Sequence, residues 1–490
     1  MQTNFRKLMA AWPLVIFLLL PALTRAEAGA QAWVRRYNEP GNTDDQARAV
    51  VVDGDNNVVV TGSSSSGTNA DYVTIKYSSA GVPLWTNRYN GPKNGADNAK
   101  ALAVDANNNV IVTGRSSVVG SPFEYDYATI KYSSMGVPLW TCRTPAGWSG
   151  DPNALVVDNN NDVIVAGVAS VNYFYTVKYS SEGVPLWTNS YIGPGPSYGN
   201  PRVNGLSVDS RNNVIVAGSM YGQNCIEEYS TIKLSSSGAV LWSNVFDCSS
   251  LSGMAVDSGD NVIVTGTRPY TYYAATIKYS SAGLPLWTNG NGGAAIAVDG
   301  SDNVILVSAG LTLKLSNVGE LLWYTYGGGG TAVAVGANND MIVTGTDSNG
   351  TNTDYLTVKL SSDGVPLWTN RYDGLGNGND RAAAVALDRS GDVLVTGYSM
   401  GTGGNYEFAT VKYVSVVPPP AVTGIQLTNG TFQMRVDDVL QPGTLVIEAS
   451  TNLAGWAPVF TNTTPTNVLF YTDPDAGNSP TRFYRAFQFP

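Results

Sequence analysis

The chain has 490 residues, a net charge of −10 and only 13% charged residues, about half the ~25% of an ordinary globular protein. A chain this acidic offers no basic stripe for nucleic-acid phosphates. It holds no histidine, which excludes His-based triads, His-ligated zinc, copper or haem, and the commonest general base. Carboxylate-only chemistry and oxygen-ligated calcium stay open.

Residues 1–28 read as a secretory signal peptide. Arg6 and Lys7 precede an apolar run over 8–23, and both Ala26-Glu27-Ala28 and Ala28-Gly29-Ala30 offer small residues at cleavage positions. Pro13, Pro21 and the shortness of the run argue against a membrane anchor. After cleavage no transmembrane segment is expected. Export permits disulfides, and the cysteines are Cys142, Cys225 and Cys248.

From residue 32 onward one line recurs: AVD-xxxN-VIVTG, then DYxTIKYSSxGVPLWTNRY. Its aspartate is Asp53, Asp105, Asp158, Asp209, Asp257, Asp299 and Asp388, with Gly336 in the remaining copy. Its lysine is Lys76, Lys131, Lys178, Lys233, Lys278, Lys314, Lys359 and Lys412. Its tryptophan is Trp33, Trp85, Trp140, Trp187, Trp242, Trp287, Trp323 and Trp368. Each unit reads as four strands. AxAVAVD is strand a, the β-branched run NVIVTG is b, the alternating DYVTIKY is c, and VPLWTNRY is d. The proline of d suits only an edge strand. Four strands per unit with the edge strand last predicts a β-propeller blade. The first copy is a lone d strand at 32–37, and the last has a, b and c but no d. The N-terminal strand is therefore expected to complete the last blade, giving eight blades over 32–415 with no open seam.

Residues 32–413 resemble the bacterial propeller repeat family nicknamed SBBP, on the elements at 53–62 and 71–85. The family name implies seven blades, and the count here is eight. Gly81 to Trp85 also resembles the G-xxx-W docking signature of eight-bladed quinoprotein dehydrogenases. That likeness implies a packing role for the tryptophans on the neighbouring blade. It does not extend to quinoprotein activity, because the adjacent-cysteine pair and a cofactor-holding insertion are missing from the sequence.

The spacings distinguish two ends of the blades. The a–b step (Asp to Gly, Ser308 in blade six) and the c–d step (Lys to Trp) are both nine residues throughout. The b–c step varies from 4 to 15 residues and the d–a step from 12 to 22. Strands alternate in direction, so all length variation is expected on one face, and binding residues concentrate on such loops. On that face Asp45, Asp97 and Asp380 each stand eight residues before the VD position, in the neighbouring blades one, two and eight. Three carboxylates at one mouth can hold calcium or a cationic ligand, or act as a glycosidase pair; the plainer reading is that they cap loops. Asp151 stands one residue off register in blade three. The Asn- and Asp-rich a–b turns, such as 53–57, resemble calcium loops, but tight-turn chemistry accounts for them. The VD aspartate and the strand-c lysine are expected to pair within each blade, with Gly336 as the built-in exception. Tyr173, Tyr175, Tyr270 and Tyr272 are candidates for stacking on sugar rings or for wall packing. Cys225 and Cys248 flank strands c and d of blade four. Pairing Leu234 with Val240 across a turn at 235–238 sets them opposite each other, and a disulfide is expected, leaving Cys142 free.

Residues 416–422 form a proline-rich linker. Residues 423–490 read as a small β-sandwich that resembles C-terminal modules of secreted bacterial proteins, a likeness that implies attachment or sorting at the cell surface. The expectation is an all-β, secreted or cell-surface monomer of a bacterium, the periplasm being the alternative location. It binds a glycan or surface protein without catalysis and without a cofactor other than calcium. The competing reading is a polysaccharide hydrolase or lyase working through carboxylates at the channel mouth.

Overall fold

The computed structural model describes residues 28–489 except 42, 67–68, 119–123, 149, 170–172, 194–200, 222–226, 247–249, 268–274, 417–420, 429–430, 438–443, 464–467 and 476–481. The described elements are all strands. The chain divides into two compact units, one over Gly29–Ser415 and one that includes Val416–Pro490.

Among the described residues the first unit has eight four-stranded antiparallel sheets. In blade one they are a (Asp45–Val52), b (Val58–Ser65), c (Ala70–Tyr77) and d (Pro83–Tyr89). Strand b is an unbroken apolar run because neighbouring blades cover both its faces, and Val58, Val59 and Val60 are fully buried. Strand d is the half-exposed outer edge, where Pro83 forfeits no needed ladder bond. Successive a strands touch one another from blade one to blade eight, and that of blade eight touches that of blade one, so the sheets close into a ring. Blade eight takes a, b and c from Arg381–Leu387, Val393–Met400 and Tyr406–Val416, and its outer strand from Ala28–Tyr37.

Two irregularities recur and explain the repeat's fixed letters. Strand a bulges opposite the glycine of VIVTG, with the pairing shifting between Ala47 and Ala49. The Gln46 carbonyl then lies where a Cβ on Gly62 would meet it at 2.0 Å. Blade six pairs without this bulge, and there the glycine is replaced by Ser308. A second bulge interrupts every c–d pairing described, as between Lys233 and Leu234 in blade four. It moves the register beyond Lys233 by one from that implied by the turn alone. Cys225 and Cys248 lie outside the described residues. Cys142 is a free, half-buried thiol whose Sγ donates to the Gly183 carbonyl at 3.1 Å.

The second unit contains two three-stranded antiparallel sheets. One is Ala421–Thr428, Thr431–Asp437 and Leu469–Asp473; the other is Ala457–Asn462, Thr444–Ser450 and Phe483–Phe489. Met434 and Val436 of the first and Leu445 and Ile447 of the second share one core. No helix among the described residues is long and apolar enough to cross a membrane.

Candidate functional site

At the end that carries the a–b and c–d turns, each blade is fastened internally and, at seven of the eight joints, to the next by the two links described below. Lys76 Nζ meets Asp53 Oδ2 at 2.7 Å, both side chains essentially buried. Equivalent pairs form in every blade with an aspartate at that position, within 2.7–2.8 Å. In blade seven, where Gly336 offers nothing, Lys359 turns to Asp340 at 3.3 Å. Burial alone would push the Asp53 carboxyl up, but bonds from Lys76 and Asn57 outweigh it and hold the group below the usual carboxylate value. Asp53 Oδ1 also accepts the Asp55 and Asn57 amides, so this turn aspartate is already fully bonded by protein donors.

Two further links cross from blade to blade. The Trp85 indole donates to the Ser134 carbonyl at 3.1 Å, and its ring lies where a Cβ on Gly136 would sit 2.7 Å away. Gly136 also has φ +82°, so only glycine serves both demands. The same indole bond runs from Trp33, Trp140, Trp187, Trp242, Trp287 and Trp323. The other link uses the left-handed turn residue: Asn108, at φ +62°, accepts the Gly54 amide of the preceding blade at 2.7 Å. Five more such bonds and the closing one, from the Arg389 amide to Asn56, run round the ring. These links use up the turn chemistry that resembles calcium loops. A cleft of about 270 Å³ between blades two and three, lined by Asn107, Asn109, Lys131, Trp140 and Glu182, belongs to this end. Its lysine is held by Asp105 and its indole by Ser181.

The opposite end carries the loops of varied length. Asp45, Asp97 and Asp380 are all fully buried there. Asp45 accepts the Glu39 amide at 2.8 Å, Asp97 the Gly91 amide at 2.5 Å and Asp380 the Gly374 amide at 2.6 Å, each donor six residues earlier. The second oxygen of Asp97 takes the Ser117 amide and that of Asp380 the Met400 amide. Asp97 and Asp380 thus pin the d–a crossing to the end of strand b, whereas Asp45 holds the crossing through Oδ2 and its Oδ1 is buried without a partner. They do not converge on a common point with one another. Burial pushes the Asp45 and Asp380 carboxyls above their usual value, with the hydrogen bonds working against it. Asp151 is half-exposed and pairs with Lys100 at 3.2 Å.

Around each of these acids stands an arginine network that inspection for acidic clusters misses. Arg143 of blade two binds Asp126 of its own strand c, Ser116 of strand b and the hydroxyl of Tyr89 from blade one. Arg36 of blade eight binds Glu407, Ser399 and Tyr372 of blade seven in the same way. Arg88 repeats the pattern with Asp71 and Ser64. The available signal was a strand-d arginine set 17 residues after a strand-c aspartate in blades one, two and seven, within NRY in blades one and seven. In blade seven the network changes. Its serine is replaced by Asp347, and Arg371 spans Asp347 and Asp354. Asp354, Asp373 and Asp380 there bring one carboxylate oxygen each within 4.8 Å of one another, so Asp380 meets two acids that the spacing did not single out.

Tyr173 and Tyr175 are half-buried against the core of blade three, and the Tyr175 ring meets Tyr127 edge-on at 5.8 Å. Tyr270 and Tyr272 lie outside the described residues.

No family profile matches the chain, and no curated protein matches it. Among solved structures it is similar to the Dos1 propeller, with 11% identity, a TM-score of 0.49, and 78% of this chain and 96% of that one covered. It is also similar to PorZ, a surface component of the type-IX secretion system of Porphyromonas gingivalis, with 11% identity, a TM-score of 0.43, and coverages of 90% and 68%. A third similarity is to a putative gluconolactonase, with 12% identity, a TM-score of 0.34, and coverages of 64% and 88%. By its own four-stranded sheets the fold is a β-propeller.

Proposed function

We propose that the protein is exported and acts as a non-catalytic binding or scaffolding module, taking a glycan or a protein partner on the face of the b–c and d–a loops. The observation that carries this reading is the division of labour between the two ends. One end has constant spacing, and its Asp, Lys, Trp and Asn residues are spent on fastening blades. The other end keeps the same rigid scaffold and varies loop length, the pattern of a surface that selects a ligand. Its repeated acids, Asp45, Asp97 and Asp380, are buried and bonded to main-chain amides. That placement suits loop fixation better than proton transfer to a substrate.

The repeat line supports a place beside the SBBP-type proteins, and the signal-like N-terminus supports secretion or display on a bacterial surface. The C-terminal unit is assigned an attachment or sorting role on its likeness to such modules. The test is a panel of polysaccharides offered to the purified chain with and without calcium, with product release assayed in the same wells. Specific binding without products supports the reading. Released products overturn it in favour of a polysaccharide-active enzyme. If no glycan binds, the glycan arm fails, and a pull-down with the isolated chain that recovers no partner overturns the protein arm.

A further inference from the structure

Seven of the eight blade joints carry both links described above. Among the described residues, the joint between blades seven and eight carries neither. The Trp368 indole N–H is buried without an acceptor, because strands c and d of blade eight come from opposite ends of the ring and no c–d turn joins them. The residue that should offer a side chain to the preceding blade is Gly391. Gly29 fills part of the gap, packing against the Trp368 ring and accepting the Asn370 amide at 2.8 Å.

At the other end of the same joint lies the acidic trio. Asp354 and Asp373 come from blade seven and Asp380 from the start of blade eight. Asp354 is 1% exposed. Its protein donors, Arg371 and Asn349, both go to Oδ2, and Oδ1 is buried with no hydrogen-bond partner. An orphaned carboxylate oxygen is a costly state that native proteins rarely leave uncorrected. The residue after the strand-d tyrosine is Asn38 or Asn90 at the sister joints; Asn90 turns to Asn94, but Asn38 shows what is missing, donating its amide to Glu407, the counterpart of Asp354, at 3.3 Å. At this joint the amide is replaced by Asp373, so an acid faces an acid.

We propose that Asp354, Asp373 and Asp380 bind one calcium ion that clasps blade seven to blade eight. Three oxygen atoms within 4.8 Å of one another lie no more than about 2.8 Å from a common centre, and a small inward turn of the exposed Asp373 brings them to the 2.3–2.6 Å of calcium coordination. The ligand set is all oxygen, as a hard cation requires, and the exposed Asp373 leaves room for the waters that complete its shell. The inference does not depend on the proposed function, since no glycan or protein enters its test.

The test is calorimetric titration of the full chain with CaCl2 after EDTA treatment, with melting curves in parallel. The wild type is expected to take up one calcium ion and to melt at a higher temperature with it. Asp373→Asn installs the residue of the sister joints, so it is expected to fold, to melt without metal at or above the wild type, and to lose the calcium response. The proposal is overturned if the wild type shows neither heat nor a melting shift up to about 10 mM calcium, tenfold above the weakest extracellular calcium modules. It is equally overturned if Asp373→Asn responds as the wild type does, or if magnesium matches calcium.

Discussion

Lys76 and Asp53 show how a chain with few charges uses them. Both side chains are nearly inaccessible, and the lysine also donates to the Ser134 carbonyl of blade two at 3.1 Å. Removing the lysine strands a buried carboxylate, so Lys76→Met should cost about 3–5 kcal/mol in urea unfolding at neutral pH. The pH dependence of that loss has a definite sign. Asp53 in the wild type has a lowered pKa, so its contribution is present above the unfolded carboxylate value of 3.8 and is lost as pH falls through the lower folded value. Without Lys76 the same burial favours the protonated acid. The gap between variant and wild type should therefore narrow as unfolding is repeated at progressively lower pH; a gap that widens contradicts this account. Asp105, Asp209, Asp257 and Asp299 share the lowered state. Asp45, Asp71 and Asp380, raised by burial, act in the opposite sense and favour the folded state in acid. The Asp–Lys pairing was legible in the sequence because both residues recur in step. The fate of Asp45, Asp97 and Asp380 was not. Their spacing placed them at one end of neighbouring blades, but burial and main-chain bonding depend on the loop path, which the letters alone do not describe.

The blade was the most legible element, since strand type, edge proline and strand order all follow from a period of alternating and β-branched runs. The bulges were not, because a bulge changes register without changing the count of residues in a turn. That is why the hairpin of blade four runs one step away from the register inferred across residues 235–238. Glycines of the two kinds of turn can be tested against one another. Gly136 has φ +82° and the Trp85 ring against it, whereas Gly391, in an a–b turn, has φ +80° and nothing within 4 Å. Both alanine variants carry the left-handed penalty of ~1 kcal/mol. Only Gly136→Ala also forces an indole to move, so it should lose at least ~1 kcal/mol more in denaturant unfolding. Equal losses would show that the tryptophan is not tightly seated.

On the scale of the molecule, closure joins residues very far apart in sequence: Arg36 binds Glu407 across 371 positions. Such contacts form only after a large loop-closure entropy has been met, so the last blade is expected to assemble late. The joint between blades seven and eight combines this late closure with an unbonded Trp368 indole and the side-chain-free Gly391. In native-state hydrogen exchange with EDTA present, amides of Tyr406–Val416 should therefore exchange sooner than those of Glu227–Leu234, the strand c of blade four. Uniform protection round the ring would refute a weak seam.

Blade six has a consequence for anything that rests on the variable face. Its strands b and c, Val304–Ser308 and Leu311–Leu315, are separated by two residues, and its strand a, Ala295–Val298, is four residues long. Blade six has the shortest b–c step of the eight, so the rim is cut back there, beside the exposed pair Tyr324 and Tyr326. Eight equal blades would present eight equivalent rotational settings to a docked body; one blade set apart in this way gives that body a reference point.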